Sequence, residues 1–389
     1  MEKKSGSPSK TAGKPILCKA AVCRAAGEPL VIEEIQVDPP KAWEVRIKIL
    51  CSSLCHSDVT IWQSNTSPLA VFPRILGHES VGEVESVGEH VEEVKEGDRV
   101  LPVCIPTCGE CRECKFKKKN VCSMFDVKRQ NAMPRDGSSR FKDLKGEVVH
   151  HFLCLSSFSQ YTVVDVSQVV KISTEIPIDK ACLLSCGVAT GVGSVWKVAE
   201  VEEGSTVAVF GLGAVGLAVV EGARLQGASK IIGIDPNPAK FEIGKKFGMT
   251  KFVDPTACGE KSVSQVIKEL TNGSGADYCF ECVGLASLVE EAFASSAEGG
   301  RTILIGFDIS GTPLKLNSLD LLQGRSVMGS FLGGVKPKLD IPVLVKKYLD
   351  KELNLDGFVT HEVSLEEINK AFDYLLQGKS IRCLIWMNK

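Results

Sequence analysis

The stretch of sequence that most constrains the fold is TVAVFGLGAVG, in which a short apolar run leads directly into closely spaced glycines. Gly211, Gly213 and Gly216 occupy the positions of a G-x-G-x-x-G pattern. An apparent helix follows, and a second apolar run, KIIGID, ends in Asp235. A strand, a glycine turn, a helix and a second strand in this order predict the first part of a parallel α/β unit.

Each glycine has a separate purpose if this turn binds a dinucleotide. Gly211 allows the tight bend, Gly213 lets the backbone approach a pyrophosphate, and Gly216 permits close packing of helix on strand. The helix N-terminus offers unpaired N–H groups and partial positive charge to the phosphates. The cofactor-binding residues predicted in this turn are Gly211, Leu212, Gly213, Ala214, Val215 and Gly216.

Asp235 bears on which dinucleotide is bound. It lies 19 residues after Gly216, near the offset at which a carboxylate accepts hydrogen bonds from the adenosine ribose. A carboxylate at this place repels a 2′-phosphate, so the sequence favours NAD over NADP. The alternative is a strand-end aspartate that caps the turn at Pro236.

The rest of the chain shows two kinds of pattern. Between about 188 and 330, short apolar runs alternate with helix-length segments, which predicts a parallel sheet covered on both faces. Residues 15–105 instead carry short strand-like runs and frequent turns, which predict a folded-over, barrel-like β region. The tail beyond about 335 has no obvious sheet of its own. We expect it to pack on the β region, which makes the α/β unit an insertion.

Four cysteines lie close together in the run CGECRECKFKKKNVC (108–122), which we call the cysteine lobe. Their spacing is C-x2-C-x2-C-x7-C, and four thiolates so arranged suit a closed tetrahedral zinc site that holds a loop in shape. Unrelated reduced thiols or two disulfides are the alternatives, and neither explains two consecutive C-x2-C steps. The predicted structural zinc ligands are Cys108, Cys111, Cys114 and Cys122.

Composition excludes several classes of protein. Sixteen cysteines are diluted in 389 residues without an apolar leader, which favours reduced thiols and metal ligands in a cytoplasmic setting. The net charge of −2 gives no reason to expect a nucleic-acid or anionic-membrane partner. No stretch approaches the ~18 apolar residues of a membrane span. Residues 1–14 are predicted to be a mobile tail, and the basic run 115–119 suits either a nucleic-acid contact or a solvated turn.

Cysteines and histidines outside the lobe offer candidates for a second, catalytic metal site. Cys55 lies in CSSLCHSD, His78 in GHE and Cys186 in SCGVATG. A Cys2His set would keep one coordination position open for substrate or water. Spacing across 131 residues (186 − 55) does not show that these side chains converge. Each could equally be a buried structural residue.

Taken together, CHSD, GHE, the cysteine lobe, SCGVATG, and GLGAVG followed by Asp235 resemble the zinc-dependent alcohol dehydrogenases of the medium-chain dehydrogenase/reductase superfamily. The resemblance covers nearly the whole chain after residue 15. It implies a Rossmann-type doubly wound NAD-binding domain (188–331) inserted in a mainly-β, GroES-like catalytic domain (15–187 and 332–389). It also implies two Zn²⁺ per subunit and hydride transfer between NAD and a primary or secondary alcohol.

The resemblance assigns roles to further residues. Cys55, His78 and Cys186 are implied as catalytic zinc ligands, and Ser57 as the hydroxyl that takes the alcohol proton. Glu79 is implied to approach the metal, and Asp58 to orient the histidine. The implied substrate pocket comprises Ser57, His78, Cys104 and Phe152. Besides the glycine turn and Asp235, the implied cofactor contacts are His56, Thr190, Lys240, Val283, Ile305, Phe307, Leu332 and Arg382.

Departures from the family pattern concern the proton relay and the pocket. Thr60 stands where many relatives carry histidine or tyrosine, so the last relay step is expected to use another group or water. Cys104 replaces a frequent bulky aromatic side chain. The segment 62–73 lacks the acidic stretch expected of a glutathione-dependent formaldehyde dehydrogenase.

Several functions stay open beside alcohol oxidation. An S-(hydroxymethyl)glutathione dehydrogenase, a physiological aldehyde reductase, a zinc-lobe nucleic-acid-binding protein and a cofactor sensor are the alternatives. Residues 127–147 are expected to form a long surface excursion. Relatives with this excursion are typically homodimers that associate through the edge strand near 326–334, so we expect a homodimer.

Overall fold

The computed structural model of the chain describes residues 11–66, 70–126, 130–307 and 311–388. In these ranges the strands are β1 (Ile16–Cys23), β2 (Val31–Val37), β3 (Glu44–Ser53), β4 (Arg74–Ile75), β5 (Glu79–Val87), β6 (Arg99–Pro102), β7 (Phe141–Asp143), β8 (Val148–Val149), β9 (Tyr161–Asp165), β10 (Val169–Lys171), β11 (Thr206–Phe210), β12 (Lys230–Ile234), β13 (Lys251–Val253), β14 (Ala276–Glu281), β15 (Ser296–Leu304), β16 (Ser326–Gly329), β17 (Val359–Ser364) and β18 (Arg382–Trp386).

The helices connect these strands and cover their faces. They are α1 (His56–Gln63), α2 (Arg112–Lys115), α3 (Ile178–Leu183), α4 (Gly187–Gly193), α5 (Ala214–Leu225), α6 (Lys240–Lys246), α7 (Val263–Leu270), α8 (Ala286–Ser295), α9 (Ser318–Leu322), α10 (Pro337–Leu349) and α11 (Ile368–Leu376). A π-helical stretch, Ser194–Ala199, continues α4, and short 3₁₀ turns occur at Val166–Gln168, Pro255–Ala257, Phe331–Gly334 and Leu365–Glu367.

Six strands form one parallel sheet in the order β13-β12-β11-β14-β15-β16. Along β11, Val207 and Val209 pack into an apolar cluster that includes residues of α5. The alternate residues Ala208 and Phe210 pack into a second cluster with residues of α7 and α8. Both faces are therefore buried, which explains why these strands are apolar throughout. The predicted parallel sheet covered on both faces is confirmed.

The carboxyl ends of the parallel strands gather several predicted cofactor residues at one edge. Gly211 directly follows β11, Asp235 follows β12, Val283 lies just beyond β14 and Ile305 follows β15. In open α/β sheets, ligands bind in the crevice outside these ends. The order of strands thus places residues that are far apart in sequence beside one crevice.

Two further sheets form the mainly-β part of the structure. β4-β1-β2-β7-β8 make one sheet, and β10-β6-β5-β3-β18-β17 make the other, in which β9 also pairs with β3. β18 returns from the C-terminus to pair antiparallel with β3, with Leu384 opposite Ser53. The expected packing of the C-terminal segment on the β region is confirmed.

The predicted surface excursion at 127–147 holds for the exposed residues 135–137 and 144–147 but is wrong at 133 and around 140–143. Residues 127–129 lie outside the described ranges, but Met133, Arg140 and Phe141 are buried, and β7 pairs with β2. Arg140 is the physical reason. Its Nε donates to Glu44 Oε2 at 2.8 Å, its Nη2 also pairs with Glu44, and both side chains are almost fully buried.

The predicted N-terminal tail also ends earlier than expected. The buried Arg46 guanidinium donates to the backbone oxygens of Thr11 (2.7 Å) and Lys14 (2.6 Å), so residues 11–14 are held in a turn against β3. Residues 1–10 lie outside the described ranges. Across the described part of the chain, every helix is too short or too polar to cross a bilayer.

The buried Glu44–Arg140 pair yields a stability prediction. Arg140→Leu leaves the Glu44 carboxylate buried without its guanidinium, and we expect the free energy of unfolding to fall by about 3–5 kcal/mol. Urea denaturation followed by circular dichroism measures this loss. Lys142→Ala is the matched control because Lys142 pairs with Asp38 at 3.0 Å with both side chains partly exposed. We expect a loss of only about 0–1 kcal/mol there. Equal losses in the two variants would contradict the burial argument.

Candidate active site

Two cysteines and a histidine from distant parts of the chain meet in one cluster, in which Cys55 and His78 are buried and Cys186 is partly buried. The ligand atoms of Cys55, His78 and Cys186 all lie within 4.8 Å of one another. We call this set the Cys2His cluster. The register of β3 and β5 brings two of its members together, because Ser53 pairs with Glu79. Cys55 thus leaves β3 beside the point where His78 enters β5, and Cys186 joins them as the residue before α4.

A buried carboxylate fixes the orientation of the histidine. Asp58 is fully buried, and its Oδ1 lies 3.0 Å from His78 Nδ1. The same carboxylate accepts hydrogen bonds from the backbone N–H of Gly77 (3.0 Å) and of Cys55 (3.1 Å). Since Nδ1 is engaged, Nε2 is the nitrogen left for an ion. The place of Asp58 is that of a group that orients a metal-ligating imidazole.

The two thiols of the cluster influence each other's protonation. A hydrogen bond with Cys186 lowers the pKa of Cys55 well below its usual range, although burial acts in the opposite direction. The same hydrogen bond, together with burial, raises the pKa of Cys186. One site thus readily holds a thiolate beside a second sulfur and an imidazole. Sulfur and imidazole donors are the ligands that zinc prefers, so the donor set fits a zinc ion.

Glu79 and Arg382 form an ion pair directly beside the cluster. Arg382 Nε lies 3.1 Å from Glu79 Oε1, and its Nη2 lies 3.6 Å from Cys55 Sγ. Burial raises the pKa of Glu79 to about 7, and the neighbouring Arg382 opposes that rise. The guanidinium of Arg382 therefore contacts both the Cys2His cluster and the Glu79 carboxylate. The predicted contact of Arg382 with a cofactor pyrophosphate stays a prediction.

Sequence reasoning did not single out Gly187, which this arrangement requires. A Cβ atom at Gly187 would lie 2.2 Å from Arg382 Nη2. The N–H of Gly187 also approaches Glu79 Oε2 at 3.4 Å. The sequence feature that could have indicated this requirement is the glycine directly after Cys186 in SCGVATG.

A pocket of about 140 Å³ opens beside the Cys2His cluster. It contains all four residues of the implied substrate pocket, and the edge of the Phe152 ring meets the His78 ring with centroids 5.6 Å apart. Four lining residues were not predicted: Ile61, Leu153, Ser330 and Phe331. The predicted residues in the lining are Ser57, His78, Cys104, Phe152, Cys186, Thr190, Ile305, Phe307 and Leu332.

The side chain of Thr60 is directed to its own helix. Its hydroxyl donates to the backbone oxygen of His56 at 3.0 Å and lies 3.3 Å from His56 Nδ1. His56 is exposed, whereas Ser57 lies at the pocket. Thr60 and His56 are thus in contact on an exposed side of α1, and the predicted relay step through another group or water stays a prediction.

The geometry of the glycine turn is compatible with the predicted dinucleotide binding. Gly211 has φ +89°, which a side chain would strain, and a Cβ at Gly216 would lie 1.8 Å from the Gly211 carbonyl oxygen. At Gly213 a Cβ would meet nothing within 4 Å. The first and third glycines are thus needed by the fold itself. The second leaves open space that the protein does not fill.

Asp235 braces this turn. Its Oδ2 accepts a hydrogen bond from the N–H of Leu212 and its Oδ1 one from the N–H of Asn237, both at 2.8 Å. Asp235 thus caps the turn after β12 through the N–H of Asn237, as the alternative interpretation predicted. The same carboxylate also lies against the glycine turn through the N–H of Leu212. Burial lowers the pKa of the nearby Lys240, which begins α6, while Asp235 opposes that effect.

The remaining predicted cofactor residues lie along the same crevice. Val283 is 46% exposed, and its N–H donates to the buried Glu281 at 2.8 Å. Phe307 is also about half exposed, whereas Leu332 is buried with an unusual φ of 47°. Val283 lies against Gly211, and Phe307 and Leu332 line the pocket. Ala214 and Val215 are the first two residues of α5, and their predicted cofactor contacts stay predictions.

The cysteine lobe brings its four sulfurs together as predicted. The Sγ atoms of Cys108, Cys111, Cys114 and Cys122 lie within 4.8 Å of one another. The N–H groups of Cys111 and Cys114 point at the preceding cysteine sulfurs, at 3.4 and 3.3 Å. Four sulfurs in a closed set suit a structural ion. The basic run is partly neutralised by the exposed pairs Lys118–Glu200 and Lys119–Glu113.

Comparisons with known proteins agree with this geometry. Residues 41–174 match the family model described as an alcohol dehydrogenase GroES-like domain, and residues 214–349 match that of a zinc-binding dehydrogenase. The chain is 64% identical over 381 residues to alcohol dehydrogenase-like 2 of Arabidopsis thaliana, covering 97% of this chain and 98% of that protein. It is 50% identical over 383 residues to alcohol dehydrogenase 1 of Petunia hybrida, covering 97% and 99%.

A solved structure with the same fold is benzyl alcohol dehydrogenase from Acinetobacter calcoaceticus. Its TM-score is 0.87 at 27% identity, with 96% of this chain and 99% of that chain covered. The similarity thus extends over both the mainly-β part and the parallel sheet. The chain belongs to the zinc-dependent alcohol dehydrogenases of the medium-chain dehydrogenase/reductase superfamily.

Proposed function

We propose that this enzyme transfers a hydride reversibly between a primary or secondary alcohol and NAD, with one zinc ion held by Cys55, His78 and Cys186. The observation that carries the proposal is that the ligands His78 and Cys186 line the same small pocket as the predicted cofactor contacts Thr190 and Phe307. The third ligand atom, on Cys55, lies within 4.8 Å of the other two. Substrate, metal and nicotinamide would therefore meet in one place. A three-ligand site keeps a position open for the substrate oxygen.

The chemistry divides between the bound groups and the protein. When bound, zinc supplies Lewis-acid polarisation of the substrate oxygen, and NAD supplies hydride acceptance. Ser57 Oγ lies at the pocket, where it can take the alcohol proton. Asp58 keeps the imidazole of His78 oriented, and the Phe152 ring forms an apolar wall of the pocket against that imidazole.

NAD binding is supported by the shape of the glycine turn. The open space at Gly213 allows a pyrophosphate to approach the backbone at the start of α5. Asp235 offers its carboxylate to a ribose diol from the end of β12. Both of its oxygens already accept a backbone hydrogen bond, and each keeps a lone pair for a ribose hydroxyl.

We further propose a second, structural zinc ion in the cysteine lobe, which gives two zinc ions per subunit. The pocket volume of about 140 Å³ favours small alcohols or aldehydes. Its described lining has no lysine or arginine side chain to meet the carboxylates of S-(hydroxymethyl)glutathione, so that substrate is not favoured. The physiological direction follows from the supply of NAD and NADH.

We also propose a cytoplasmic location. All sixteen cysteines are free thiols in the structure, as expected in a reducing compartment. Imaging of a fluorescent fusion, with the tag at either end, tests this location.

The proposal is tested with a panel of alcohols of graded length and branching, measured as NADH formation, and with a zinc count on the same sample. We expect turnover with NAD that exceeds turnover with NADP, and two zinc ions per chain. Cys55→Ser should remove one of the two ions and abolish turnover, because it changes a ligand of the Cys2His cluster. One zinc ion per wild-type chain without any turnover would overturn the proposal.

The glycine turn provides a matched pair of substitutions. Gly213→Ala has room in the protein and should leave stability unchanged. It should raise the KM for NAD by roughly ten- to hundredfold, since the methyl group would fill the space that the pyrophosphate needs. Gly216→Ala forces a methyl group against the Gly211 carbonyl and should lower the free energy of unfolding by about 1–3 kcal/mol. Thermal unfolding and NAD saturation curves measure the two effects. Similar stability losses in both variants would contradict the assignment.

We propose a homodimer that forms through the free edge of the parallel sheet. β16 ends the described sheet, and α9 beside it exposes Leu319 (57%), Leu321 (42%) and Leu322 (82%). An exposed apolar patch next to an unpaired strand edge is typical of an interface. Leu322→Asp should therefore shift the mass in sedimentation velocity from twice 41.9 kDa towards the single-chain value. Leu339→Asp, on α10 and 63% exposed, is the control. A wild-type chain that sediments as a monomer would refute the dimer.

A further inference from the structure

The rim of the pocket is formed by a strained turn. Phe331 lines the pocket and is 44% exposed, and the next three residues, Leu332, Gly333 and Gly334, have φ values of 47°, 66° and 66°. Leucine rarely adopts a positive φ, and such a conformation persists only where the surroundings hold it in place. The turn therefore depends on contacts from neighbouring parts of the structure.

The cysteine lobe supplies contacts on both sides of this turn. Asn120, two residues before the ligand Cys122, donates from Nδ2 to the Phe331 carbonyl at 2.7 Å and to the Val335 carbonyl at 3.2 Å. One amide group thus connects the start of the turn with its end. Because one nitrogen reaches both carbonyls, it fixes the width of the turn as well as its position.

Two further contacts come from the same part of the chain. Phe125 meets the Phe331 ring edge-on, with centroids 5.3 Å apart. Lys336 Nζ donates to the backbone oxygens of Cys114 and Phe116, both at 2.7 Å. An edge-to-face ring pair and a charged donor on two carbonyls are directional contacts. The Phe125 contact restricts the position of the Phe331 ring, and the Lys336 contacts restrict the chain just after the turn.

The residue directly before the turn, Ser330, is attached to the cofactor side. Ser330 Oγ and Ser194 Oγ are 2.8 Å apart, and Ser194 Oγ donates to the Thr190 carbonyl at 2.7 Å. This attachment holds Ser330 but not the ring of the next residue. Gly333 also packs closely against the carbonyl oxygens of Ala189 and Thr190. The backbone in the middle of the turn is thus held from the cofactor side, whereas the Phe331 carbonyl and ring are contacted from the side of the lobe, by Asn120 and Phe125.

We propose that Asn120 is a positioning residue for substrate selection, which holds Phe331 at the pocket rim so that the cysteine lobe sets the size of alcohol the enzyme accepts. This inference rests on the proposed function. In the present position the ring narrows the entrance and disfavours bulky alcohols. Loss of the Asn120 amide frees the turn, and kcat/KM for bulky alcohols then rises relative to kcat/KM for small ones.

The experiment compares kcat/KM for benzyl alcohol with kcat/KM for ethanol. Asn120→Ala should raise this ratio by roughly two- to tenfold, the equivalent of one or two lost hydrogen bonds. Asn120→Asp keeps the size of the side chain but replaces the donor by an oxygen, and should act in the same direction. Lys118→Ala, in the same lobe, removes only the exposed pair with Glu200 and should leave the ratio unchanged.

A double-mutant cycle separates positioning from a general loss of structure. In a Phe331→Ala background the ring is absent, so adding Asn120→Ala should change the ratio no further. If the effect of Asn120→Ala persisted in full without the ring, the residue would not act through Phe331 and the inference would fail. An unchanged ratio in Asn120→Ala would overturn it as well.

Amide hydrogen exchange tests the contact independently of activity. Peptides that cover 330–336 should exchange at least roughly threefold faster in Asn120→Ala than in the wild type or in Lys118→Ala. If the wild-type enzyme oxidised no alcohol, the proposed function would fail, and exchange would still decide whether Asn120 holds the turn. Equal exchange in all three proteins would refute the inference.

Discussion

Burial of two sulfur ligands and an imidazole at one point is the constraint on which the site depends. Cys55 and Cys186 can both be thiolates in a buried place only where positive charge compensates them. Arg382 supplies one such charge at 3.6 Å from Cys55 Sγ, and it is itself paired with Glu79. The remaining compensation suits a divalent ion. The site is therefore organised around charge balance, and the pocket takes its shape from the side chains that maintain this balance.

The register between β3 and β5 is what brings two of the ligands together. Cys55 and His78 are adjacent because Ser53 pairs with Glu79 across β3 and β5. A one-residue slip would direct the neighbouring side chains to the opposite face of the sheet and separate the ligands. Asp58 reinforces the register, because its carboxylate binds the backbone N–H groups of Cys55 and Gly77 as well as the imidazole. One buried carboxylate thus serves both the fold and the ligand geometry.

How much of the structure could be predicted depended on how far apart in the sequence the interacting residues lie. The parallel sheet was predictable, since a strand buried on both faces must be apolar throughout, as β11 is. The cysteine lobe was predictable because its ligands are close in sequence. The convergence of Cys55 with Cys186, and the pairing of Glu79 with Arg382, join residues that are 131 and 303 positions apart. No periodicity encodes such pairs, and only the resemblance to a family indicated the first.

The same argument explains the failures. The region 127–147 was taken as a surface excursion because it is polar, but the pair of Arg140 with Glu44 allows part of that polar segment to be buried. Ile61, Leu153 and Phe331 line the pocket without a chemical group that would mark them in a sequence. The role of Asn120 could not be predicted from the sequence for a similar reason. Its neighbours predicted a structural metal site, and its own amide reaches a segment more than 200 residues later in the chain.

A closed set of four sulfurs leaves no position for a substrate, so the lobe can influence the reaction only by mechanical means. Mechanical influence requires a rigid element next to a segment with more than one accessible conformation. The turn at 331–334 carries a leucine at positive φ, a conformation that persists only where neighbouring contacts hold it. With the proposed zinc ion bound to its four sulfurs, the lobe would keep its shape without a large apolar core. It can therefore stand at the edge of the cleft and restrain the pocket rim, which a flexible surface loop could not do.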